Sequence, residues 1–120
     1  MAASAFGSTD VVKLLISKGA DPNTTADDGS TPLMEASAEN KVDAAKLLIA
    51  QGAKVNARSE VGATALMTAS LMGHIDVVKL LLDKGAKPNL KTKSGMTALK
   101  AAKSKKHLKV MKLLIREGAE

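Results

Sequence analysis

The sequence repeats itself every 33 residues, and this period constrains the fold more than any other feature. Gly-Ala pairs recur with that interval, beginning at Gly19, Gly52, Gly85 and Gly118. Residues 31–62 and 64–95 share 14 identities in 32 aligned positions without a gap. A period of this length predicts a row of similar supersecondary units. We place four units at about 1–25, 26–58, 59–91 and 92–120, which together form one domain over 1–120.

Each unit carries the signals of two short helices. Thr31 is a good capping residue, and Pro32 suits the first position of a helix. The first helix is expected to run about eight residues, and the second from about Val42 to Gln51. Gly52 suits the left-handed residue that ends a helix. Because helices this short are unstable alone, each pair needs a neighbour to cover its apolar face.

The composition agrees with a helical fold and excludes several other classes of protein. Phe6 is the only aromatic residue among 120, whereas β-structures usually rely on aromatic and β-branched side chains. No apolar run approaches the roughly 18 residues of a membrane span, and the amino end has no leader pattern. The chain has no cysteine, which excludes disulfides and thiolate metal sites. These features leave the compartment open, with the cytoplasm as the default expectation.

The motifs that carry the period resemble those of the ankyrin repeat family. Units begin with TPLMEAS at 31–37, TALMTAS at 64–70 and TALKAAK at 97–103, and they end with LLIAQGAKVN, LLLDKGAKPN and LLIREGA. The resemblance covers essentially the whole chain, as four repeats of which the first and last are incomplete. It implies an all-α solenoid of stacked antiparallel helix pairs joined by β-turn loops.

Three positions depart from the family pattern. Ankyrin repeats usually place histidine after the Thr-Pro-Leu triplet, where it forms hydrogen bonds, but this chain has Met34, Met67 and Lys100 there. We expect each lost hydrogen bond to forgo about 1 kcal/mol. The two methionines are interpreted as core filling rather than as a soft metal site.

The two ends of the array differ in charge. Residues 92–120 carry eight basic and two acidic side chains, a net charge of +6 that equals the charge of the whole chain. A terminal repeat needs a polar outer face, and five cations are predicted to provide one: Lys103, Lys106, Lys109, Lys112 and Arg116. The amino end opens on Met1 and a run of alanines. Met1 aligns with Met34, which favours a fragment of a longer array over an initiator that aligns by accident.

No pattern of catalytic or ligand-binding residues is found. Phosphate-binding glycine loops, zinc motifs and nucleophile elbows are absent from the sequence. His74 and His107 occupy equivalent positions one repeat apart, and the family resemblance assigns such histidines a structural role at the turn between helices. We therefore expect no enzyme activity, no cofactor and no metal.

The resemblance also implies a binding surface. Ankyrin proteins generally bind a protein partner through their loop tips and the exposed face of the first helices. Transferred to this chain, that surface, called the strip below, comprises Ala5, Phe6, Asp27, Asp28, Ser30, Ala38, Glu39, Glu60, Val61, Ala63, Leu71, Met72, Lys93, Ser94, Met96, Ser104 and Lys105. Its character changes from acidic through apolar to basic along the array. The predicted partner is another protein of unknown identity, bound by a monomer.

Two alternatives stay open at this stage. Leu71 and Met72 are either the apolar centre of the strip or residues that pack under the loop of the adjacent repeat. The lysine-rich last repeat is either a solvated cap or a site for polyanions, such as nucleic acid or an acidic membrane surface. No aromatic stacking residue accompanies the lysines, so protein binding is favoured over polyanion binding.

Overall fold

Six short α-helices form three antiparallel pairs in residues 21–120, which are the residues that the computed structural model describes. The helices are α1 (Pro32–Ala38), α2 (Val42–Ala50), α3 (Ala65–Met72), α4 (Ile75–Asp83), α5 (Ala98–Ser104) and α6 (Leu108–Arg116). The first helices of the pairs (α1, α3, α5) contact one another in order, and so do the second helices (α2, α4, α6). The predicted all-α stack of helix pairs is confirmed.

Every first helix begins at a threonine cap. The side-chain oxygens of Thr31, Thr64 and Thr97 each accept the backbone N–H three residues further on, at 3.2 Å. Pro32 lies in the first turn of α1, where its missing N–H leaves no helical hydrogen bond unmade. The predicted caps are therefore confirmed, and α2 ends at Ala50, one residue before its predicted end.

Two of the residues that replace histidine make hydrogen bonds of their own. The sulfur of Met34 accepts the N–H of Thr31 at 3.4 Å and completes a reciprocal capping box. The Nζ of Lys100 donates to the carbonyl of Gly95 at 3.2 Å. The expected loss of a hydrogen bond is therefore wrong for Met34 and Lys100, although a thioether is a weak acceptor.

The turn between the two helices of a pair requires a left-handed residue. Asn40, Gly73 and Lys106 occupy this position with φ of 57°, 74° and 58°. A Cβ atom at Gly73 would lie 2.6 Å from Nδ1 of His107 in the next repeat. Glycine is thus favoured at 73 both by its backbone conformation and by a close neighbour, whereas Lys106 bears a strain of about 1–2 kcal/mol.

The core consists of aliphatic side chains that repeat with the 33-residue period. The second helices each bury a leucine to 1% exposure or less, at Leu48, Leu81 and Leu114. The first helices bury small side chains at Ala36, Ala69 and Ala102. These alanines leave room for close packing between neighbouring first helices.

An asparagine ladder joins consecutive repeats. Each asparagine donates from Nδ2 to a glycine carbonyl 29 residues later, at 3.0–3.1 Å. Its Oδ1 accepts a backbone N–H 31 residues later, at 2.8–2.9 Å. The three members are Asn23, Asn56 and Asn89. Their recurrence in the sequence is explained by these paired bonds between repeats.

The last repeat has only a partial polar cap. The five cations predicted for the cap all lie exposed. Leu108 and Ile115 on α6, however, are 63% and 56% exposed. Only Lys103 replaces a residue that is buried in the third repeat, Ser70, since the equivalents of the other four cations are not buried there. The prediction of a polar outer face is therefore wrong for this side of α6.

Candidate functional site

The loop tips form a regular row of hairpins. Each hairpin is closed by a backbone hydrogen bond of 2.8–2.9 Å across its base, as between the N–H of Ser59 and the carbonyl of Ala63. Consecutive tips are joined by one further bond, from Glu60 N–H to the Asp28 carbonyl at 3.0 Å and from Lys93 N–H to the Val61 carbonyl at 2.9 Å. The tip residues of the strip are therefore held side by side on a fixed backbone.

Most of the strip is accessible. The exposed members are Asp27, Asp28, Glu39, Glu60, Val61, Leu71, Met72, Lys93, Ser94, Met96, Ser104 and Lys105, while Ser30, Ala38 and Ala63 are half-buried. Ala5 and Phe6 lie outside the described residues. Because neighbouring tips are bonded to each other and neighbouring first helices pack side by side, the accessible members can contact one ligand together.

Asp28, at the acidic end of the strip, is held in its ionised form by two hydrogen bonds. The Asp28 carboxylate accepts the Ser30 hydroxyl at 2.6 Å and the Ser30 N–H at 2.9 Å. These hydrogen bonds favour the charged form and lower the pKa of Asp28 below its usual value. Asp28 therefore keeps its negative charge at any pH near neutrality.

The centre of the strip is apolar and contains a pocket. Val61 is 60% exposed and Met72 is 50% exposed, and Leu71 and Met96 are each 37% exposed. The pocket has a volume of about 140 Å³ and is lined by Ala63, Met67, Thr68, Leu71, Thr92, Met96 and Ala101. Its walls come from the third repeat and from the loop and first helix of the fourth. This pocket suits an apolar side chain of a ligand.

Leu71 has features of both of its predicted roles. Its side chain borders the next loop at Thr92 and Met96, and its carbonyl lies 2.9 Å from Nε2 of His107. It nevertheless stays more than a third exposed, and Met72 is half exposed. Neither residue is completely covered by the adjacent loop, although Leu71 lies beside it.

The two histidines connect neighbouring repeats. Nε2 of His74 lies 3.0 Å from the carbonyl of Ala38, and His107 makes the equivalent contact with Leu71. Each ring thus binds a carbonyl near the end of the preceding first helix. Among residues 21–120, no group of three or more His, Asp or Glu side chains is arranged to hold a metal ion. The geometry gives these histidines a structural role.

A second depression beside the tips was not predicted from the sequence. It has a volume of about 350 Å³ and is lined by Arg58, Ser59, Glu60, Gly62, Lys91, Thr92 and Lys93. The Arg58 guanidinium donates to the carbonyl of Lys91 across the repeats. The 33-residue offset between Arg58 and Lys91 could have indicated this contact. Thr68 and Ala101 in the apolar pocket were also missed, since they are unremarkable helix residues in the sequence.

None of the helices in the described part of the chain is both long and apolar enough to cross a membrane. In comparisons with known proteins, a family model described as ankyrin repeats (3 copies) matches residues 1–92 and 62–120. A search of curated proteins finds no match. The two matched ranges together span the whole chain.

Proposed function

The chain belongs to the ankyrin repeat family, and on this basis we propose that it binds a partner protein through the strip. Ankyrin repeats are generally non-catalytic protein–protein interaction modules. The observation that carries the proposal is the exposed apolar centre with its pocket, set between acidic and basic ends. Exposed apolar groups framed by charge are typical of interaction sites.

The charge order of the strip specifies the polarity of the partner. Asp27 and Asp28 lie at one end, and Lys93 and Lys105 at the other. A complementary segment has basic residues facing the second repeat and acidic residues facing the fourth, with an apolar side chain seated in the pocket between them. The apolar contacts determine the dissociation rate, and the charged ends determine orientation and association rate.

A display selection tests this proposal. A random peptide library is selected on the purified chain, and the selected peptides are measured by fluorescence anisotropy. Leu71→Ser with Met72→Ser should weaken strip-binding peptides at least tenfold, because it removes the apolar centre. The matched control is Leu108→Ser with Ile115→Ser, which removes exposed apolar side chains outside the strip and should leave these peptides unaffected.

The same variants decide whether the strip is assigned correctly. The strip variant should melt within a few degrees of the parent, since both side chains are exposed. If the strip variant unfolds, Leu71 and Met72 belong to the core. If it binds every selected peptide as tightly as the parent, the strip is not the binding surface.

Polyanion binding is the second candidate, supported by the exposed cations of the last repeat. Those on its two helices and the turn between them are Lys100, Lys103, Lys105, Lys106, Lys109, Lys112 and Arg116. Duplex DNA, single-stranded RNA and heparin can be titrated by electrophoretic mobility at about 0.15 M salt, where exposed charges are strongly screened. We expect weak binding that is insensitive to nucleic-acid sequence. A specific complex that is weakened by Lys103→Glu with Lys106→Glu would favour this second function.

A further inference from the structure

An apolar stripe on the last helix lies outside the strip. Leu108, Met111 and Ile115 follow one another at intervals of three and four residues, which places them on one face of α6. Leu108 and Ile115 are 63% and 56% exposed, and Met111 is half-buried between them. No helix of the described residues covers this stripe.

The earlier repeats show what this face of a second helix does. The equivalents of Leu108 and Ile115 in α4 are Ile75 and Leu82, which pack against the core. The equivalent of Met111 is Val78, which is 0% exposed. Ile75 and Leu82 are half-buried, whereas their equivalents in the last pair are more than half exposed, so these positions form the side on which a second helix packs against its successor. The stripe is therefore a helix-packing surface that no helix of the described residues covers.

The first helix of the same repeat has lysines where the preceding repeat has buried residues. Met67 is 5% exposed and Ser70 is 0% exposed in α3. Their equivalents in α5 are Lys100 and Lys103, and both are exposed. The end face of the array therefore consists of a basic half on α5 and an apolar half on α6. Lys112 adds a further cation directly beside the stripe.

This combination disfavours two simple occupants. A further repeat of the same kind would bury Lys103 where the other repeats bury serine, and an unpaired buried charge is strongly unfavourable. A second copy that docks by the same face would bring like charges together. An acidic lipid surface also attracts basic and apolar side chains together, and the test below therefore includes it as an outcome. The stripe nevertheless lies where α4 packs against a helix of the next repeat, which favours a helical occupant.

We propose that the end face, formed by Lys100, Lys103, Leu108, Met111, Lys112 and Ile115, docks an acidic amphipathic helix of a partner protein. The apolar side of that helix covers the stripe in place of a next helix. Its Asp or Glu residues lie opposite Lys100 and Lys103 on one side and Lys112 on the other. Ion pairs next to an apolar contact are screened less than exposed pairs, so charge complementarity selects acidic helices over basic ones.

The proposal is tested with a library of helical peptides displayed against the purified chain. Selected peptides are sorted by their response to Leu108→Ser with Ile115→Ser. We expect a class that this variant weakens at least tenfold, with a net negative charge and apolar residues three and four apart. Lys103→Glu with Lys112→Glu should weaken the same class at least tenfold, whereas Leu71→Ser with Met72→Ser should leave it unchanged.

Several outcomes would overturn this assignment. The end face is not a helix-docking site if no peptide depends on Leu108 and Ile115, or if the dependent peptides are not acidic. Vesicles of phosphatidylserine and phosphatidylcholine provide a lipid arm, and stripe-dependent vesicle binding without peptide binding would assign the face to membranes. Sedimentation that shows a dimer abolished by Leu108→Ser with Ile115→Ser would assign it to self-association. Failure here leaves the peptides of the strip unaffected, so the two proposals fail separately.

Discussion

The third and fourth repeats share a frame but differ on one side. The side-chain oxygens of Thr64 and Thr97 each accept a capping hydrogen bond of 3.2 Å. Leu81 and Leu114 are both 0% exposed. On the first helix, buried Met67 and Ser70 of α3 are replaced by exposed Lys100 and Lys103 of α5. The shared positions form the helices of a repeat, whereas these two positions determine which neighbour can pack against it.

The divergence is uneven within the fourth repeat. Its first helix has Lys100, which is exposed, where the third repeat has the buried Met67. Its second helix keeps an apolar residue at every position of the stripe, including the 63%-exposed Leu108. The contrast teaches that a basic charge excess in a terminal repeat does not by itself make a complete polar cap.

The largest effect is expected from removing the fourth repeat. Deletion of residues 92–120 exposes Val78, Leu80 and Leu81, which are buried in the intact chain. Because short helix pairs depend on their neighbours, the shortened chain should lose its cooperative thermal transition or aggregate. Circular dichroism and light scattering measure both. A monomer that melts within a few degrees of the parent would contradict the assigned dependence.

Equivalent leucines should differ in their contribution to stability. Leu81 packs between the second and fourth repeats, whereas Leu114 has a neighbouring repeat on one side only in the described chain. Leu81→Ala should cost about 3–4 kcal/mol and Leu114→Ala about 2–3 kcal/mol, since a site at the end of the array can relax more easily. Urea unfolding monitored by circular dichroism compares them. Equal losses would show that the end repeat is packed as tightly as an internal one.

Two substitutions at the left-handed turn position should change stability in opposite directions. Gly73→Ala should destabilise the chain by about 2 kcal/mol, because it combines a positive φ with the close approach of His107. Lys106→Gly should instead stabilise it by about 0.5–1 kcal/mol, because it relieves the strain at φ 58°. Asn40→Gly serves as a control of small effect, since asparagine tolerates this conformation. Destabilisation by Lys106→Gly would mean that the lysine side chain has a stabilising contact.

The smallest difference in stability is expected between two members of the asparagine ladder. Asn56→Ala removes two hydrogen bonds to the third repeat and should cost about 1–2 kcal/mol. Asn89→Ala removes the same two bonds to Gly118 and Glu120. Its cost should be smaller, about 0.5–1 kcal/mol, since bonds at a chain end fray readily. Thermal melts of both variants test the order, which a larger loss for Asn89→Ala would reverse.

Much of the candidate site could be anticipated because the frame repeats. The 33-residue period places Asp27, Glu60 and Lys93 at equivalent loop tips. The pocket beside Leu71 could not be anticipated, since Thr68 and Ala101 gain their role only when two repeats stack. Phe6 stays a prediction, because it lies outside the described residues.

Helix starts, turn residues and the repeat itself were determined by the sequence alone. A threonine cap or a left-handed glycine acts on backbone groups a few residues away, so a local pattern is enough to predict it. Burial was decided only by tertiary structure. Val78 and Met111 occupy the same place in the helix pattern, yet one is fully buried and the other partly accessible. Their environments differ because exposure depends on whether another repeat packs against that face.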